Sequence, residues 1–196
     1  MIRLPFILAS ASPRRRFLIR TFPFRARVVP GRTPERRPMA SEPPARYALA
    51  MAEQKANEVA RRVGRGLVLG ADTIVHLGGT IFGKPTSKAA ARRMLAALAG
   101  RWHEVHTGLC LVAVPGRRAW RATARTRVRL KDFSKPELDR LARRNHDKAG
   151  AYAAQARGNP FVAEYRGDYD NVVGLPRKTL QILLKKAAKA GFRPKV

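Results

Sequence analysis

The 196-residue chain has one cysteine, Cys110, few acidic residues and no long apolar run. A single cysteine excludes an intrachain disulfide and a CxxC metal site, and the cytoplasm is the compartment this usage points to. No apolar stretch approaches the roughly 20 residues that cross a bilayer, so no membrane partner is expected. The opening residues imitate an export signal, with Arg3, a short apolar run and Ala9-Ser10-Ala11. The run is too short and three arginines follow it at once, which argues against export. Neither a Walker A loop nor a GxGxxG turn occurs, which removes the common ATPase and dinucleotide-binding classes. The four histidines lack H-x-x-x-H spacing, so His103, His106 and the rest are expected as strand or surface residues rather than zinc ligands.

What is present is a chain of 45% hydrophobic residues, enough for one sizeable core, whole or split into two lobes, in one globular unit over residues 1–196. Its 41 lysines and arginines against 13 acidic residues leave +28, which predicts attraction to polyanions without choosing among nucleotides, nucleic acid and anionic membrane. The arginines are scattered from Arg3 to Arg193 with no basic tail, so compositional bias on solvated faces accounts for much of the excess. A nucleic-acid-binding module is therefore the rival class. Its base-reading aromatics are sparse here, at 7%, and weak, salt-sensitive nucleic-acid binding is expected only as a by-product of charge.

Strand and helix signals alternate. Pro5 to Ala9 reads as a buried strand, and Ser12-Pro13 as an N-cap and first turn of a helix to about Arg20. Phe24 to Val29 reads as a strand, followed by a Pro- and Arg-rich loop to Pro44 and a helix from Ala45 to Val63. Leu67 to Leu69 reads as a short strand ending in the turn Gly70-Ala71-Asp72-Thr73, with a hairpin from Ile74 to Phe82 around Gly78-Gly79. Ser87 caps an alanine-rich helix that Gly100 stops. Val105 to Val114 and Ala119 to Leu130 form a long hairpin, and Ser134 with Glu137 a capping box for a helix to about Arg144. A strand near Phe161 to Tyr165, a glycine and aspartate loop, and a helix from Arg177 to Ala190 complete the chain. This order predicts an α/β fold with a mixed, twisted central sheet flanked by helices.

Two constellations carry chemistry. Ser10-Ala11-Ser12-Pro13-Arg14-Arg15-Arg16 lies where a strand gives way to a helix, a place where backbone N–H groups, the Ser10 and Ser12 hydroxyls and the Arg14 and Arg15 guanidiniums can meet phosphate; ordinary capping would explain the serines alone. Arg16 is expected to face solvent. Asp72, just beyond a buried strand, suits a divalent cation at a cleft, and a turn aspartate is the bland alternative. Lys55, Lys84 and Lys148 lie beside helix or loop breakpoints and could supply point charges to phosphate.

Read together and in order, Leu8-Ala9-Ser10-Ala11-Ser12-Pro13-Arg14-Arg15, Gln54-Lys55-Ala56, Gly70-Ala71-Asp72-Thr73-Ile74-Val75, Gly83-Lys84-Pro85, His103-x-Val105-x-Thr107-Gly108, Asp147-Lys148-Ala149-Gly150-Ala151-Tyr152 and Val172-Val173-Gly174-Leu175-Pro176 resemble the successive signatures of the Maf family. These are nucleoside triphosphate pyrophosphatases, also linked to septum formation in bacteria. The resemblance implies two lobes around a nucleotide cleft, an inosine-triphosphatase-like arrangement, with hydrolysis to the monophosphate and pyrophosphate assisted by Mg²⁺ or Mn²⁺. It implies Asp72 as the catalytic acid residue and metal ligand, with Glu35 as second ligand. Ser10, Arg14, Arg15, Lys55, Lys84 and Lys148 would hold phosphates, and Thr73 and Gln155 the base or sugar. Arg14, Thr73 and Gln155 are similar to the discriminating residues of the subgroup acting on dTTP and UTP; the 7-methyl-GTP subgroup and ITP hydrolases are the enzymatic alternatives. A homodimer is compatible with the resemblance. The chain departs from the family in keeping only Glu35 in Arg32-Thr33-Pro34-Glu35-Arg36-Arg37, where adjacent carboxylates are usual, in lacking a proline before Asp147, and in carrying Arg177 after Gly174-Leu175-Pro176.

Overall fold

The computed structural model describes residues 1–116, 118–144, 149–152 and 161–195. In chain order the elements are β1 (Ile2–Leu4), β2 (Phe6–Ala9), α1 (Pro13–Ile19), β3 (Ala26–Val28), α2 (Pro44–Arg62), β4 (Gly66–Leu77), β5 (Thr80–Phe82), α3 (Lys88–Leu98), β6 (Trp102–Val114), β7 (Ala119–Leu130), α4 (Lys135–Arg144), β8 (Val162–Arg166), α5 (Tyr169–Val173), α6 (Arg177–Lys189) and β9 (Phe192–Pro194). Among the described residues these build a seven-stranded mixed sheet in the order β3-β2-β4-β6-β7-β8, with β5 added on β4, and a separate parallel pair of β1 and β9. None of the helices is long and apolar enough to cross a membrane among those residues.

The two faces of the sheet follow the period-2 alternation of β4. Leu67, Leu69 and Ala71 pack with Leu18 and Ile19 of α1, Val173 of α5 and Leu180, Leu183 and Ala187 of α6. Farther along that face Val75, Val105 and Val128 meet Ala91, Leu95 and Leu98 of α3 and Leu138 and Leu141 of α4. The other face receives α2, whose Ala52, Ala56 and Val59 lie on Val68, Cys110 and Val112.

The site exists because β4 is longer than its neighbours on one edge. One side of β4 is paired to β6 from Gly66 to His76. On its other edge β2 covers only Leu67 to Gly70, in parallel, and β5 covers only Val75 to Leu77, antiparallel. Residues 71–74 are left without a strand on that edge, between the end of β2 and the end of β5. The strand order also reverses at β2, since the chain passes from β2 to β3 on one side and then through α2 to β4 on the other, which makes this a topological switch point, where α/β sheets open a ligand crevice.

One expectation is corrected here. Gly70-Ala71-Asp72-Thr73 is not a turn after a short strand but the middle of the twelve-residue β4. The glycine that looked like a strand end serves packing: a Cβ at Gly70 would lie 2.1 Å from the Ala52 carbonyl oxygen and 2.7 Å from the Ala56 nitrogen. On β6, a Cβ at Gly108 would come within 2.4 Å of the Leu49 nitrogen. Glycine in these strands admits the backbone of α2 to the sheet surface, and the fully buried Ala48, Ala52 and Ala56 recur every four residues on that side of the helix. Other departures are smaller. The glycine and aspartate loop after β8 contains α5, capped by the Asp168 side chain and closed by Gly174 in the left-handed region at φ 114°. The β1–β9 pair was invisible in a single short segment because each strand is defined by its partner. Arg16 is half-buried, with its Nε shielded from solvent.

Three outcomes follow. Gly70→Ala should cost about 3 kcal/mol or more in urea unfolding, because the clash is with backbone. Gly64→Ala, where a Cβ meets nothing within 4 Å, should stay within about 0.5 kcal/mol of the parent. Burial pushes the Cys110 thiol up to about 12 and leaves it fully covered. At pH 8 it stays protonated, so a thiol reagent should label it only after unfolding; rapid labelling of the folded protein would contradict this packing.

Candidate active site

The open edge of β4 faces a cavity of about 650 Å³ lined by Ser10, Arg14, Arg15, Glu35, Lys55, Asp72, Thr73 and Lys84. The arginine corner after β2 and the acid on β4 thus share one hollow. Ser10 directly follows β2 and Lys84 is the second residue after β5, so the two truncated strands deliver their ends to opposite rims.

Asp72 and Thr73 are successive on β4 and therefore point to opposite faces of the sheet. Asp72 shares the face of Gly70 and Gly108, beneath α2. There Lys55 Nζ donates to Asp72 Oδ1 at 2.5 Å and to Glu35 Oε1 at 2.7 Å. The ammonium is held between two carboxylates, one buried and one in the loop between β3 and α2. Gln54-Lys55-Ala56 divides three tasks among consecutive residues. Gln54 Nε2 donates to the Pro34 carbonyl at 2.7 Å and straps the loop carrying Glu35, Lys55 joins the acids, and Ala56 supplies the small contact over Gly70. The Tyr47 hydroxyl, donating to the Arg36 carbonyl at 2.7 Å, and the Arg32 N–H, donating to Glu58 at 3.1 Å, fasten the same loop.

On the other face the Arg15 guanidinium is fixed at three points. Its Nε donates to the Gly174 carbonyl at 2.8 Å, one terminal nitrogen to the Thr73 hydroxyl at 2.9 Å, and the other to the Ser10 hydroxyl at 3.3 Å. Thr73 also shares a hydrogen bond of 2.9 Å with Thr107, whose hydroxyl donates to the Asn171 carbonyl at 3.3 Å. Buried Asn171 in turn donates to the Val105 carbonyl and to Thr126, both at 3.0 Å. This chain ties α1, β4, β6, β7 and α5 into one frame around Arg15. The Ser12 hydroxyl accepts from the Arg15 N–H at 3.4 Å as the cap of α1. The Ser12 N–H in turn donates to the Ser10 hydroxyl at 3.2 Å.

Charge at the site is set by burial against these cations. Burial pushes the Asp72 carboxyl above its usual range, and Lys55 and Arg15 draw it part of the way back. Burial also acts to raise Glu35, but Lys55, with Lys84 and Arg15, outweighs it and holds that carboxyl below its ordinary value. A buried carboxylate with raised basicity beside a lowered one is the pattern of paired groups in different roles.

The structure therefore brings together Ser10, Arg14, Arg15, Glu35, Lys55, Asp72, Thr73 and Lys84. Lys148 and Gln155 lie outside the described residues. The Thr73 hydroxyl, expected at the base or sugar, is engaged by Arg15 and Thr107. Sequence reasoning did not single out Tyr47, Thr107 and Asn171 as supports. Thr107 stood in a quoted motif, and for the others the only signal would have been a polar residue at a buried position, which needs the sheet register to see.

Known proteins resemble this chain over nearly its whole length. A 43% identical relative over 180 residues, 91% of this chain and 92% of its own length, is the dTTP/UTP pyrophosphatase of Moorella thermoacetica. The proteins of that name from Thermococcus onnurineus, 44% identical over 87% of this chain and 91% of theirs, and Anaeromyxobacter dehalogenans strain 2CP-C, 42% identical over 92% and 93%, match as closely. Residues 5–187 match the model of the Maf-like proteins, and with the cleft on the open edge of β4 in view, the chain belongs to the Maf family.

Proposed function

We propose that this chain is a nucleoside triphosphate pyrophosphatase that hydrolyses dTTP and UTP to the monophosphate and pyrophosphate. The observation that carries it is the Lys55 bridge between Asp72 and Glu35, set in a cavity whose remaining walls hold Arg14, Arg15 and Lys84. A triphosphate repels incoming hydroxide, so a hydrolase for it needs fixed cations on the phosphate oxygens and an anionic group that takes a proton from water. The relatives' names agree in reaction and in substrate.

Two carboxylates already converging on one ammonium are a hard oxygen donor set, and Asp72 and Glu35 are the residues that would hold Mg²⁺ or Mn²⁺. Bound there, the ion would supply further neutralisation of phosphate charge as nucleotide enters. The protein's own groups do the rest. Asp72 orients a water and accepts its proton, and its raised basicity suits that role. The water oxygen bonds to the α-phosphorus, the α–β bridging P–O bond breaks, and pyrophosphate leaves with the electron pair toward Arg14, Arg15 and Lys84. Thr73 acts through Arg15, whose fork it holds in place with Ser10 and Gly174. Ile74, Val75, Ile81 and Tyr152 line the apolar part of the cavity, a wall suited to a base.

Asp72→Asn should lower the pyrophosphate release rate about a thousandfold while circular dichroism stays native; a rate near the parent's would remove Asp72 from the chemistry. In a nucleotide series, dTTP and UTP should exceed 7-methyl-GTP and ITP in kcat/KM by about tenfold or more. Equal rates across that series would overturn the pyrimidine assignment and leave the reaction assignment intact.

A further inference from the structure

Beyond the end of α2, on the same sheet face as Asp72, three side chains outside the cavity meet. His76 and Glu104 are cross-strand partners on β4 and β6, and His106 lies two residues from Glu104, opposite Ile74. Period-2 alternation places all three on one face. Among the described residues they form a group of possible ligands whose donor atoms all lie within 4.8 Å of one another. Glu104 Oε2 is 2.9 Å from His106 Nε2 and 3.9 Å from His76 Nδ1.

We propose that His76, Glu104 and His106 are a second metal site, for a zinc-like divalent transition metal, separate from the carboxylate pair at Asp72 and Glu35. Around a tetrahedral ion with bonds of about 2.0–2.1 Å, donor atoms sit roughly 3.3 Å apart, and the two separations to Glu104 bracket that figure. Two imidazoles and one carboxylate leave a fourth position for water, and this donor set selects zinc, cobalt, nickel or copper over magnesium. The site is reachable, since the His76 and Glu104 side chains are 23% and 27% exposed, while His106, at 7%, forms its fixed wall. Arg125 donates to Glu104 Oε1 at 3.0 Å, which orients the carboxylate and leaves Oε2 toward the histidines, as outer partners of metal ligands do. Its 62% exposed side chain can swing outward as a cation enters. His106 must take the Nδ1–H tautomer, so that the Nε2 lone pair faces the ion in place of a proton.

The site would brace a particular junction. His76 is also paired with Ile81 of β5, and β5 leads directly to Gly83 and Lys84 at the rim of the cavity. An ion there would clamp β4 to β6 just where β5 joins.

Cobalt titration of the full chain tests this. Co²⁺ in a low-coordinate imidazole site absorbs strongly in the visible, whereas an all-oxygen site absorbs weakly. One equivalent of Co²⁺ should give the strong band in both the parent and Asp72→Asn. Zn²⁺ should abolish the band and excess Mg²⁺ should not. His76→Ala and Glu104→Gln, both at partly exposed positions, should weaken Co²⁺ binding at least about tenfold while pyrophosphate release with Mg²⁺ stays at the parent's rate. Absence of the band in the parent, its survival in both of these variants, or its loss in Asp72→Asn would overturn the proposal. None of those outcomes bears on the reaction proposed above.

Discussion

The contact on which the rest depends is the backbone-to-backbone approach of α2 to the sheet. Gly70 and Gly108 have no side chains because the helix occupies that space, and the buried alanines of α2 keep the approach close along its length. This proximity lets Lys55, projecting beside that alanine row, reach Asp72 from above rather than across solvent. A buried carboxylate in the middle of a strand is costly unless paired and hydrogen-bonded. The helix that brings its partner is admitted by the glycine two residues earlier on the same face.

Around that contact the strands define an opening by stopping early. β2 ends at Ala9 and β5 at Phe82, so a four-residue stretch of β4 edge lies open between them. Each rim then carries cations, Arg14 and Arg15 from one side and Lys84 from the other, and the loop strapped to α2 brings Glu35. The net charge of +28 adds a diffuse attraction for anions, but what distinguishes this cleft is the fixed geometry of Arg15. Its guanidinium is immobilised by a carbonyl and two hydroxyls, and little side-chain entropy remains to be lost when an oxyanion arrives.

Much of this was legible before coordinates. The ordered motifs from Leu8 to Pro176 carried the family and the acid and cations that line the cleft, because each is a local string of residues whose chemistry is fixed by type. The hairpins and the Ser87 and Ser134 caps were legible for the same local reason; Glu137 accepts from both Ser134 groups as the spacing required. What local reading did not reach was what depends on a distant partner. Gly70-Ala71-Asp72 read as a turn since glycine and aspartate are poor strand formers, and only α2 explains why they stand in one. The engagement of the Thr73 hydroxyl by Arg15 and Thr107 lay beyond local reading because both partners come from other elements. His76, Glu104 and His106 fit no helical ligand spacing, since they are joined by strand alternation and cross-strand register.

The central claim is that water attacks the α-phosphorus in the cleft above Asp72. Its most direct test is hydrolysis of UTP by the full chain in isotopically labelled water, with both products weighed by mass spectrometry. The account predicts one labelled oxygen in UMP and none in pyrophosphate; label in pyrophosphate, or release of UDP and orthophosphate, would contradict it.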